Sequence, residues 1–224
     1  MQRGLIWAGF ALSLAVAGGV LWKYAASWTP SRGIYTVQGI DVAEANGAID
    51  WTMVKARDVD FAYALATRGA EARDARFAAN WAGIAEAGIR RGAIHAFSLC
   101  AAASAQAGAF VATVPRDPGA LPAVIDLSFD ETCPARPARD VVLDEIRRLA
   151  AVIETHSGKP AILRIAPEFE AQYQVSGAIT RPLWAIRFLL APDYFARPWA
   201  MWQSSTIRRI DGIEGPVNWN VVAP

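Results

Sequence analysis

Leu121-Pro122-Ala123-Val124-Ile125-Asp126-Leu127-Ser128-Phe129-Asp130-Glu131 is the stretch from which the fold is read. Residues 123–127 are apolar but for one aspartate, short, rich in β-branched side chains and preceded by a proline, the pattern of a buried strand. A buried strand that ends in acids is where a parallel α/β protein gathers its chemistry, because loops at the C-terminal ends of its strands converge. Side chains two apart share a strand face, which puts Asp126, Ser128 and Asp130 in one row. Carboxyls at the first two of these places would form a pair for acid–base work. The second is a serine.

Outward from this strand, apolar runs and helical periods alternate. Strands are expected at 39–42, 61–67, 92–97, 122–129 and 161–166. Helices are expected at 49–57, 74–87 and 101–113, and a longer one opens at Pro137 and closes at Gly158. Phe77, Trp81 and Ile84 make one helical stripe; Val142, Ile146, Leu149 and Ile153 make another. Beyond 166 the helices fade, and three further strands are expected at 183–187, 199–204 and 217–222. The fold class is therefore α/β: a TIM-like barrel of eight strands with reduced helices in its second half.

The chain has 224 residues and a formal charge of +1, so a nucleic-acid partner has no electrostatic footing. Hydrophobic residues make up 54%, enough for a large core. Two cysteines and two scattered histidines give no metal-ligand pattern, and no cofactor motif is present. Residues 4–22 carry no charge and are long enough to cross a bilayer, with Arg3 and Lys23 flanking them and Trp7, Trp22, Tyr24 and Trp28 near the ends. They read as an uncleaved transmembrane anchor; the rival reading is a signal peptide cut after Ala15-Val16-Ala17. Either way the barrel is expected outside the cytoplasm, as a periplasm-facing domain of the inner membrane or as a released one. There Cys100 and Cys133 can form a disulfide; the other reading is two buried thiols. The organisation is an anchor at 1–24, a linker at 25–37 and the barrel at 38–224.

Several blocks carry a family likeness. Gly39-Ile40-Asp41-Val42, Gly47-Ala48-Ile49-Asp50-Trp51, Phe61-Ala62-Tyr63, Gly92-Ala93-Ile94-His95, residues 121–127, Pro167-Glu168-Phe169, Trp202-Gln203 and the run 212–220 together resemble glycoside hydrolase family 25, the Chalaropsis-type N-acetylmuramidases. Cys100 and Cys133 resemble the cysteine pair of Gram-negative members. The resemblance implies a peptidoglycan substrate, cut at the β-1,4 bond between N-acetylmuramic acid and N-acetylglucosamine. It also implies one acid on the first strand, an Asp-x-Glu pair on the fourth and a late aspartate.

Asp41 and Asp126 match two of those acids. Ser128 stands in place of the general-acid glutamate, Asn218 in place of the late aspartate, and Arg164 in place of a common aromatic. His95, Trp202 and Trp219 are the candidate substrate-binding residues, with core packing as the other reading of all three, and Asp130 and Glu44 are two acids that could substitute for the lost donor. A serine hydroxyl is far too weak an acid to protonate a leaving sugar, and losing a general acid costs about 10²–10⁴-fold. The expectation is a lysozyme-like domain at the cell envelope with weak or lost hydrolysis. The alternative is an active muramidase using Asp126 and Asp41 with a relocated acid. Peptidoglycan strands are the expected partner, and an envelope protein is a further one that the sequence does not name.

Overall fold

The computed structural model describes residues 2–224, with side chains described at 12, 14 and from 16 onward. It begins with α1 (Gln2–Ser27), followed by β1 (Gln38–Val42), a 3-10 turn (Glu44–Asn46) and α2 (Trp51–Lys55). Next come β2 (Phe61–Arg68), β3 (Ala72–Arg73), α3 (Phe77–Glu86), β4 (Arg90–Ala96), α4 (Ala103–Thr113) and β5 (Val124–Leu127). The second half holds α5 (Arg139–Ser157), β6 (Ile162–Ile165), α6 (Pro167–Tyr173), α7 (Val175–Ala178), β7 (Leu183–Ile186), β8 (Met201–Arg208) and β9 (Val217–Val222).

Eight strands close a barrel in the order β1-β2-β4-β5-β6-β7-β8-β9, with β9 returning to β1. All neighbours are parallel except β9, which runs antiparallel to both β8 and β1. The two-residue β3 is an antiparallel addition to the end of β2 that the sequence pattern did not announce. Beyond β6 the helices shrink as expected, to the short α6 and α7 before β7. Pro167 sits in the first turn of α6, where its missing N–H costs nothing. Pro137, expected inside the first turn of α5, lies outside it, one residue before the cap Ala138. Gly158 does end α5, in the left-handed conformation (φ 71°), its N–H donating to Glu154 O at 2.8 Å.

Burial follows strand parity. Inside the barrel Phe61, Tyr63, Leu65, Ile94, Val124, Ile162, Trp184 and Met201 fill the floor. On the outside, Ile40, Ala62, Ala64, Ile125 and Leu163 meet the stripes of α3, α4 and α5. Two glycines make room for interior aromatics: a Cβ on Gly39 would lie 2.2 Å from Phe61 O, and one on Gly92 2.1 Å from the Tyr63 ring. Inside the barrel this apolar layer gives way to polar side chains toward the C-terminal ends of the parallel strands.

Among the described residues no helix is long and apolar enough to cross a membrane. The anchor expected at 4–22 falls largely on side chains outside those described. Leu12, Val20, Leu21 and Tyr24 of α1 are exposed, while Ala26 near its end is buried.

Candidate active site

At the C-terminal end of the barrel, alternate residues of four strands point inward: Asp41 from β1, Asp126 from β5, Arg164 from β6 and the pair Asn218 and Asn220 from β9. Register brings them together, since Asp126 is paired with Arg164 across β5–β6 and Asp41 with Asn218 across β1–β9. The centre is Arg164. Its Nε donates to Asp126 Oδ1 at 3.0 Å, one Nη to Asp126 Oδ2 at 3.0 Å, and the other to Asp41 Oδ2 at 2.9 Å. Its guanidinium carbon lies 5.2 Å from the Trp184 ring centre, on the barrel floor beneath.

Every oxygen of the two acids is already engaged. Asp41 Oδ1 accepts from Asn220 Nδ2 at 2.8 Å, and Asp41 Oδ2 accepts from Asn218 Nδ2 at 2.9 Å besides Arg164. Ser128 Oγ donates to Asp126 Oδ1 at 3.2 Å. The Arg164 side chain is 10% exposed, so this is a desolvated cluster and not a solvated rim pair. Burial alone would lower the Arg164 pKa, but Asp126 and Asp41 together raise it above the usual arginine range. The guanidinium remains a cation at any working pH. Each of the four carboxylate oxygens therefore already accepts at least one hydrogen bond within the cluster.

A cleft of about 790 Å³ opens beside this cluster, lined by Asp126 and Ser128, by Arg68, Glu71 and the β2–β3 turn, and by Asp130 and Glu131. Asp130 is not a proton reservoir. The Thr132 hydroxyl and backbone N–H both donate to its Oδ1, at 2.7 and 2.8 Å, and hold its carboxyl below the usual range. Glu44 is turned away, its Oε2 accepting from Ala75 N at 3.2 Å. Cys100 and Cys133 form a disulfide with Cα atoms 5.9 Å apart, tying the loop after β4 to the loop after β5 along the cleft wall.

For the histidine and the two tryptophans, strand facing gives core packing and not the substrate-binding role. His95 points outward beneath α4, fully buried, with Thr67 Oγ1 at 2.8 Å from Nδ1 and Gln106 Oε1 at 3.1 Å from Nε2. Burial pushes its pKa down to about 4, against the pull of Gln106 and Asp126. Trp202 and Trp219 also lie in the outer layer. Trp202 donates to Arg187 O and packs with Trp28, Tyr35 and Trp199; Trp219 donates to Gln38 Oε1. None of the three reaches the cleft. Asn220 was missed by sequence reasoning, although its spacing of two from Asn218 puts both on one face.

Comparison with known proteins agrees with this architecture. The family model for glycosyl hydrolases family 25 matches residues 40–213. An uncharacterised Escherichia coli K12 protein, YegX, is 34% identical over 193 residues, covering 84% of this chain and 70% of its own length. Lysozyme M1 of Streptomyces globisporus is 30% identical over 210 residues, covering 82% and 67% respectively. Among solved structures, a family 25 glycosyl hydrolase from Bacillus anthracis superposes with a TM-score of 0.80 at 29% identity, over 88% of this chain and 92% of that one. The lysozyme of Streptomyces coelicolor gives 0.75 at 28%, over 83% and 91%. The matched blocks, the closed barrel and these relatives together place the chain in glycosyl hydrolase family 25.

Proposed function

We propose that this protein is a peptidoglycan-directed, lysozyme-like domain of the cell envelope in which hydrolysis is weak or lost. The observation that carries the reading is Arg164, which occupies both remaining acids at once. A family 25 reaction needs a carboxylic acid to protonate the leaving oxygen and a carboxylate to support the anomeric centre. Here Ser128 stands at the donor's place and hydrogen-bonds to the acid it would have worked beside. The remaining carboxylates are bound by Arg164 and by neighbouring side chains, so neither is free to take the donor's place beside a glycosidic oxygen. An open cleft still runs past them and supports retention of a glycan chain without its cleavage.

The uncharged run 4–22 and the Cys100–Cys133 disulfide support a barrel held outside the cytoplasm by an N-terminal anchor. One observation favours the second reading, an active muramidase: Glu71 and Glu131 line the same cleft as Asp126. Zymography of the full chain in peptidoglycan gels decides between them. No clearing is expected, together with co-sedimentation on insoluble peptidoglycan. Clearing by the wild type that disappears in Asp126→Asn would establish the active reading.

A further inference from the structure

The end of α1 is fastened to the barrel at one place. Ala26 O accepts from Arg209 N at 3.3 Å, and Ser27 O accepts from an Arg208 Nη. Both arginines lie at the C-terminal end of β8, on the same end of the barrel as Asp126 and three strands round from it. From Trp22, the last residue of the uncharged run, to Ser27 is five residues of helix, about 7 Å at the helical rise. If residues 4–22 cross a bilayer, that distance places Ser27, and the arginines bonded to it, within the headgroup layer. Such a layer is roughly 5–8 Å deep on each side.

The loop after β7 shares this end of the molecule. Phe188, Leu189 and Leu190 are three consecutive large apolar side chains, all exposed, at 44, 38 and 61%. They are held out by a built turn and are not a frayed end. Leu189 adopts the left-handed conformation (φ 63°), which a leucine rarely takes, and its N–H donates to Ser204 O of β8 at 3.0 Å. Arg187 at the base of the loop pairs with Asp193. Lys23, Arg208 and exposed Arg209 supply positive charge where α1 leaves the barrel.

From this geometry we infer that the barrel mouth rests against the phospholipid surface, with Phe188–Leu190 dipping into the interface and the arginines at its anionic headgroups. The inference deepens the anchored reading proposed above and rests on it. A basic corner beside an apolar tip is the pattern of an interfacial contact, in which buried apolar area and attraction to anionic lipid add. Its consequence is a choice of substrate. A cleft that opens at the bilayer meets glycan at the membrane surface, where strands are still tethered, and not the outer layers of the wall.

The test uses the full chain reconstituted in vesicles of phosphatidylethanolamine with a minority of phosphatidylglycerol. A fluorophore is carried in turn at Leu190→Cys, at Thr206→Cys, the exposed position of β8, and at Val152→Cys, exposed toward the far end of α5. Quencher attached to the lipid chains is expected to dim the first two labels several-fold more than the third. Having two mouth positions guards against one variant misfolding. Equal quenching at all three sites, in protein that withstands an alkaline carbonate wash, overturns the docking and leaves the anchor standing. Loss of the chain in that wash removes the anchor, and the docking with it.

Discussion

Arg164 is the residue on which the chemistry turns, because it is one cation shared by two buried acids. Replacing it with Met leaves Asp41 and Asp126 desolvated without their partner. Breaking a buried pair from one side costs about 3–5 kcal/mol. Chemical denaturation at neutral pH is expected to show a loss of that order, partly regained on acidification as the orphaned carboxyls take up protons. The same residue predicts how activity could be restored. A carboxyl at position 128 would enter within reach of Arg164, which would keep it ionised, so Ser128→Glu alone is expected to stay inactive. Combined with Arg164→Phe, it would stand beside like charges that favour its protonated form. Glycan clearing is then expected to rise by about 10²-fold or more over Ser128→Glu alone. His95 carries a separate pH signature. Its folded pKa of about 4 lies below the ordinary imidazole value, so the unfolded chain binds the proton more readily. The stabilisation is fully present above about pH 6.5 and is lost as pH falls toward 4, a change on the order of 3 kcal/mol. His95→Gln should flatten the denaturation midpoint across that window. Asp41, Asp126, Ser128 and Asn218 could be picked out as a group from sequence because they stand at the positions that the family resemblance marks. The outward facing of His95, Trp202 and Trp219 could not. Barrel strands are buried on both sides and lose the alternation that reveals facing, and a register shift between Leu65 and Thr67 adds an irregularity opposite His95.

At the scale of elements, the loops that build the cleft are held by one covalent link. Cys100 and Cys133 are 33 residues apart in sequence, and closing a loop of that size constrains the unfolded chain by about 3–4 kcal/mol. The double variant Cys100→Ala, Cys133→Ala is expected to unfold at correspondingly lower denaturant. Hydrogen exchange should also quicken in the loops after β4 and β5, while β6–β8 stay protected. The barrel floor depends on close approach instead. Gly39→Ala would press a methyl group into the backbone oxygen of Phe61, which no rotamer change can relieve, so a loss of about 1–3 kcal/mol is expected in the same measurement. Strands were the most legible elements because each is a short apolar run between breakers. Helix starts were less so. Pro137 and Pro167 look alike in sequence, yet one precedes the cap of α5 and the other opens α6. A proline marks a boundary to within a residue or two and leaves the register to tertiary packing.

At the scale of the molecule, the strand that closes the barrel also quiets the site. β9 runs antiparallel within the closed barrel, bonding to β1 on one side and β8 on the other. That reversal carries Asn218 and Asn220 to the oxygens of Asp41, so closure of the barrel and hydrogen-bonding of that carboxylate are one event. The eightfold count was readable from sequence, but the direction of the last strand was not, since an apolar run is the same read either way. The coupling makes a whole-chain prediction. Deleting residues 217–224 would open two long edges, on β1 and β8, and strip Asp41 of both amides while leaving it against Arg164. Exposed edges template pairing with other chains. The truncated chain is expected to lose the single cooperative thermal transition of the intact barrel and to aggregate. A truncated chain that stays monomeric and melts in one transition would mean that β1 to β8 make a stable fold without closure. The amide clamp on Asp41 would then be an addition to the barrel, separable from the strand pairing that builds it.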